Sequence, residues 1–401
     1  MQTTRKWLSL ALAAILLLSL PACGGGESPE SVLSSSESAD VESGTATTAK
    51  TTTTTASATV SGGTTTRSKV NVMTSSNTST TTTTTTSRPT APKKPLGMTV
   101  GGVKNILCWG DSITAGMGMK QGERYPDVLQ SYLGDGYKVW NGGNSGDSSH
   151  AVMARQGALS LTTKNAITFG AGVSEVKIGQ SKKTFNLMLS NGDELQKLNV
   201  QENTTSTNPA LLHFNPLTIS GKSYQMGFSF EGQTPNSGYN VLLSRTDASA
   251  AVTIPAGTAV TMASANKSDT SYCEIIHMGA NDSIGTEPVS ALVNRYQTMI
   301  DRMPHECYLV IVPYWAPGRY EEAFKEAFGD KAINLVEEID KRGLSELGLT
   351  MTDEDRNKIK NKQMPISLQY ETKDGYHLNK DGYKMLATLV YERGKQLGYW
   401  K

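Results

Sequence analysis

The chain has 401 residues, with 38 Lys and Arg against 37 Asp and Glu, a formal net charge of +1. Near-zero charge without a basic run excludes charge-driven nucleic-acid binding, and no second apolar stretch beyond the first twenty residues predicts a membrane span. The chain is long enough for one large domain or two smaller ones.

The N-terminus predicts a targeting signal over residues 1–22. Arg5 and Lys6 form a basic start, and Leu8 to Leu20 is apolar but too short to span a bilayer comfortably. Leu20-Pro21-Ala22-Cys23 resembles a bacterial lipobox. That resemblance implies cleavage before Cys23, lipid on its thiol, and a membrane anchor that holds the mature chain outside the cytoplasm. An ordinary secretory signal is the other reading, and it also places the chain outside. Residues 23–95 are rich in Ser, Thr, Gly and Ala, with the runs Thr51–Thr55 and Thr80–Thr86. They hold too few large apolar side chains to offset chain entropy, so they predict a disordered linker.

Beyond residue 96 the pattern changes. Asn105–Trp109 predicts a buried strand, Tyr125 to about Leu133 a helix, and Tyr137–Asn141 a second strand. Residues 152–270 break the alternation. Ala166–Phe169, Val173–Ile178, Phe185–Leu189, Leu211–Phe214, Tyr224–Phe230, Tyr239–Leu243 and Ala251–Ile254 are short β-like runs, with Asn191-Gly192 and Ser220-Gly221 as turns. They predict an inserted all-β domain. The alternation resumes with a strand at Glu274–Met278, an amphipathic helix at Pro288–Met303 and a strand at Cys307–Val312. Ala332–Ile339 reads equally as a helix or as a fifth strand. Asn379 caps a final helix that buries Tyr383, Leu386, Leu389 and Val390. Residues 96–151 and 271–401 thus form one α/β domain, a parallel sheet covered on both faces. Cys108, Cys273 and Cys307 lie in or beside apolar runs and read as small core residues. No Cys/His spacing suggests zinc or any other metal, and nothing calls for a cofactor.

Ser112 follows the first strand in Trp109-Gly110-Asp111-Ser112, a strand ending in a turn that presents a hydroxyl. A serine hydroxyl needs a base, and the base needs an orienting acid. Of the five histidines only His377 has such an acid, Asp374, at a spacing that bends back onto its ring. The turn places the carboxylate at Nδ1 and leaves Nε2 for Ser112, a hydrolytic triad in the order Ser, Asp, His. The oxyanion needs fixed donors: the backbone N–H of Ser112, the side chain of Asn281 after the third strand, and the N–H of Gly146, with Gly142 and Gly143 competing for that last role. Asp111 and Asp282 read as loop braces, with Asp282 a minor alternative as the triad acid. His277 reads as a packed core residue. Trp109, Tyr314 and Trp315 read either as packing or as sugar-stacking rings.

These residues carry a resemblance. Gly110-Asp111-Ser112, Gly146 in Ser-Gly-Asp-Ser, Gly279-Ala280-Asn281-Asp282 and Asp374-Gly375-Tyr376-His377 resemble, in order, the four blocks of the SGNH (GDSL-type) hydrolase family. The resemblance covers about 103–150 and 271–398. It implies a three-layer α/β/α flavodoxin-like fold and a metal-independent ester hydrolase. With the anchor and the linker it suggests an extracytoplasmic esterase that removes acyl groups, acetyl above all, from a carbohydrate. The alternatives are a lipase on small lipids, with Met226, Phe228 and Phe230 lining its acyl pocket, and a non-catalytic surface binding module.

Overall fold

The computed structural model describes residues 97–181, 187–189, 215–230, 239–282 and 286–401, all within one compact unit. The expected signal, Cys23 and linker lie outside the described residues. So do the run Leu211–Phe214, the turn Asn191-Gly192, Phe185, and the side chains of Phe228 and Phe230.

A short strand β1, Thr99–Val100, turns back antiparallel onto β2, Val103–Gly110. Helices α1 (Ser112–Ala115) and α2 (Tyr125–Leu133) follow, then β3, Tyr137–Gly143, and helix α3, Ser149–Gln156. Strands β4 to β12 lie between Leu161 and Met262. Helix α4 (Ala265–Ser268) leads into β13, Cys273–His277, and helix α5, Val289–Arg302. After β14 (Tyr308–Ile311) come helix α6 (Glu321–Phe328), β15 (Ala332–Ile333), helix α7 (Leu335–Arg342), helix α8 (Asp353–Lys360) and helix α9 (Lys380–Gln396).

The parallel strands lie in the order β3-β2-β13-β14-β15. In chain order that is 2-1-3-4-5, the flavodoxin-like winding. Alternate side chains of each strand feed two cores. Ile106, Cys108, Ile275, Leu309 and Ile311 pack on one face with Tyr125 and Leu129 of α2 and Leu386 and Val390 of α9. Leu107, Trp109, Ile276 and Val310 pack on the other with Val152 of α3, Tyr296 of α5 and Phe324 of α6. A strand buried on both faces is why Asn105–Trp109 reads as a continuous apolar run rather than an alternating one. The three layers are α/β/α. Cys108, Cys273 and Cys307 are buried free thiols of the first core.

The open segment Ala332–Ile339 is both strand and helix: two residues of β15, a turn at Asn334, then α7, whose Glu337 N–H is capped by the Asn334 side chain. Periodicity over eight residues cannot separate a strand that short from the helix behind it.

The β-rich stretch forms a seven-stranded antiparallel sheet and a separate two-stranded ladder of Ile167–Phe169 with Val252–Ile254. Its core includes Phe169, Tyr224, Met226 and Val241, together with Ala151 and Ala154 of α3. The boundary expected between residues 151 and 152 therefore falls inside a helix. Ala151 and Ala154 face the β core while Val152 and Met153 face the central sheet. Met226 is fully buried there and does not line an acyl pocket. No helix among the described residues is long and apolar enough to cross a membrane.

Candidate active site

The site forms beyond the carboxyl ends of β2, β3 and β13, where the strand order reverses and parallel sheets leave a crevice. Asp111 caps α1, its Oδ1 accepting the Ile113 N–H at 3.1 Å. This turn directs Ser112 out of the sheet.

Ser112 Oγ lies 2.8 Å from His377 Nε2, and His377 Nδ1 lies 2.6 Å from Asp374 Oδ2. Asp374 also accepts from the backbone N–H groups of His377 and Tyr376 and from the Thr372 hydroxyl. Partial burial opposes its charge, but the His377 side chain and these other donors outweigh burial and hold the carboxyl at about 2. An ionised carboxylate only accepts, so Nδ1 carries the proton. Nε2 is then the lone pair that accepts the Ser112 hydroxyl. The 374–377 turn is fixed in place by the Tyr370 N–H on the His377 carbonyl and by the Tyr314 hydroxyl, which donates to the Tyr376 carbonyl at 3.0 Å.

Gly146 sits in the turn after β3 with φ of +81°, a left-handed conformation that suits glycine. Asn281 Nδ2 donates to the Asp147 carbonyl at 3.0 Å, so the loop after β13 is tied to the Gly146 turn. The competing glycines are engaged elsewhere. The Gly143 N–H donates to Asn141 Oδ1, and a Cβ on Gly143 would meet the Ala115 backbone nitrogen at 2.0 Å. Gly142 is paired in the ladder opposite Trp109.

Asp111 and Asp282 brace loops. Asp111 is fully buried, and desolvation pushes its carboxyl up to about 7 although it accepts from Ile113 and Ala280. Asp282 accepts the Ser149 N–H and pairs with Arg295; it does not serve His377. His277 is buried, stacks on Tyr314 and meets Trp315 at a tilt, with no hydrogen-bond partner for either ring nitrogen among the described residues. Trp109 and Tyr314 are buried too, and Trp109 Nε1 donates to Glu274. Of the three candidate stacking rings only Trp315 is half-exposed.

Sequence reasoning missed Arg155 and Asp147, a fully buried ion pair beside the site. The signal was present. A lone arginine in the run Ala-Val-Met-Ala-Arg-Gln needs a buried acid, and one stands eight residues upstream. Among the described residues no three His, Cys, Asp or Glu side chains are placed to share a metal ion. A cavity of about 650 Å³ opens at the β15 edge, lined by Lys325, Asp330, Asn334, Glu337 and Arg393; it contains none of the site residues.

No family model matches the chain, and no curated protein does. Solved structures similar to it include a member of the lipolytic protein G-D-S-L family from Veillonella parvula, at 10% identity over 72% of this chain and 96% of that one, TM-score 0.33. Another is a carbohydrate acetylesterase family member from Sinorhizobium meliloti, at 14% identity over 74% of this chain and 100% of that one, TM-score 0.28. At these identities and TM-scores the likenesses carry no argument; the strand order carries the fold.

Proposed function

We propose that the chain is a serine ester hydrolase. The observation that carries this reading is the unbroken relay from Ser112 through His377 to Asp374, at 2.8 and 2.6 Å. Ser112 Oγ attacks the ester carbonyl carbon as its proton passes to His377 Nε2. The carbonyl oxygen becomes an oxyanion held by the backbone N–H groups of Ser112 and Gly146 and by the Asn281 side chain. The tetrahedral intermediate expels the alkoxide, which takes the proton from Nε2, and leaves an acyl-serine. Water then attacks the acyl carbon, gives its proton to Nε2, and the acid departs as Ser112 recovers its proton.

The proposed substrate class is supported by the N-terminal sequence. A lipid anchor at Cys23 and a Ser/Thr-rich linker suit an enzyme held outside a bacterial cell, and the natural ester is then an acyl group, acetyl first, on an extracytoplasmic carbohydrate. The test is an acyl-length series. Acetyl, butyryl and octanoyl chromogenic esters are compared with acetylated xylan and peptidoglycan. The expected result is turnover that falls with acyl length and release of acetate from polymer. Fast octanoyl turnover without acetate release would make it a lipase, and no turnover at all would leave a binding module. Chelators should leave the rate unchanged; inactivation by EDTA that zinc restores would contradict a metal-free mechanism.

A further inference from the structure

Arg155, near the C-terminal end of α3, is fully buried, and so is the Asp147 carboxylate it pairs with. Such pairs often return less in attraction than they lose in desolvation, so stability alone does not account for one. This guanidinium grips three separate pieces of backbone or loop. Nε donates to Asp147 Oδ2 at 2.7 Å, Nη1 to the Gly142 carbonyl at 2.6 Å, and Nη2 to the Gly110 carbonyl at 2.9 Å. Gly110 lies two residues before Ser112. Gly142 lies at the end of β3. Asp147 follows Gly146, and its carbonyl is the acceptor for Asn281. Asn144 Nδ2 holds the other carboxylate oxygen of Asp147 at 2.7 Å.

We infer that Arg155 is a positioning residue for ester hydrolysis, and this rests on the serine-hydrolase reading. One rigid planar fork fixes the ends of β2 and β3 and the Asp147 turn in a single register, and so keeps Ser112, Gly146 and Asn281 aligned with one another. It touches no reacting atom. A lysine supplies the same charge but no planar fork, and one compact ammonium cannot reproduce the three directions at once.

Arg155→Lys is therefore the test, with circular dichroism to establish folding. On p-nitrophenyl acetate, kcat should fall roughly 10²-fold, the scale of a misplacement of about 1 Å. KM should stay within about threefold, the pattern of an interaction lost in the transition state. Hydrogen exchange of the peptide spanning 142–148 should quicken. In the Asn281→Ala background the same substitution should cost less than in wild type, since both act through one turn. A folded lysine variant with wild-type kcat and wild-type exchange at 142–148 would overturn the inference. If the lysine variant does not fold, the Asp147 side of the pair decides. Asp147→Asn, made in its place, removes the charge that Arg155 Nε grips while keeping the side chain's shape, and quicker exchange at 142–148 with lower kcat supports the inference while no change in either overturns it. Wild-type protein that hydrolyses no ester would remove the esterase reading and the catalytic part of this inference with it; exchange at 142–148 would still show whether Arg155 holds the turn.

Discussion

Asp374 keeps its charge down to about pH 2. A fall in rate on acidification above that value therefore does not come from protonation of Asp374. Asp374→Asn should lower kcat by about 10⁴, the scale for a triad acid that fixes tautomer and orientation; a variant within tenfold of wild type would show that Asp374 is not needed. His277 bears on stability instead. Burial holds it down at about 3, against an ordinary value of 6.5. Between those values the unfolded chain binds a proton that the folded chain does not. Stability from this residue thus falls as pH drops from 6.5 towards 3, by at most about 1.4 kcal/mol per pH unit. His277→Phe should flatten that loss when urea midpoints are compared at pH 7 and 4.5; an equal acid loss in both proteins would contradict it. The Asp374–His377 pair was legible in the sequence because the two lie three residues apart, so local geometry alone joins them. For Arg155 the sequence signals at most a cation in need of an acid; its hold on the Gly110 and Gly142 carbonyls was not legible, because only the folded sheet brings those segments together.

Among the elements, α9 carries the clearest local signal. Asn379 accepts the Gly382 N–H at 3.0 Å and donates to the Ser367 carbonyl at 2.8 Å, starting the helix two residues after His377. Asn379→Ala should destabilise the protein by about 1 kcal/mol, the usual value of such a cap, read as a lower denaturant midpoint. An unchanged midpoint would mean that the cap is not formed. This helix, α2 and α5 were readable because each buries a periodic face, and β2, β13 and β14 because each is a nearly continuous buried run. Some of the shortest strands in the β-rich stretch were not readable. Leu161–Thr163, Leu217–Ile219 and Ala259–Met262 are too short for a period of two to register. Helix α3 was missed because its two buried faces leave no polar side to mark it.

At the scale of the whole molecule, the β-rich stretch leaves and rejoins the α/β layers at one place. The Ser264 hydroxyl donates to the Arg155 carbonyl at 2.7 Å, and a Cβ on Gly157 would lie 2.9 Å from that of Ala265. Ends this close let residues 160–263 be replaced by a short Gly/Ser linker while Arg155 and α3 are kept. The shortened protein should hydrolyse a small acetyl ester and lose activity on acetylated polymer; equal activity on both would show that the β-rich stretch takes no part in substrate choice. The division into an α/β sheet and a β-rich insertion was legible from the change of hydrophobic period, but the helix shared between the two cores was not. The central claim is that Ser112 is the nucleophile. A serine-directed fluorophosphonate followed by peptide mass spectrometry tests it most directly. One adduct on Ser112, absent in Ser112→Ala and formed far more slowly in His377→Ala, is the predicted result. Ester hydrolysis that persists in Ser112→Ala, or an adduct on another serine, would contradict it.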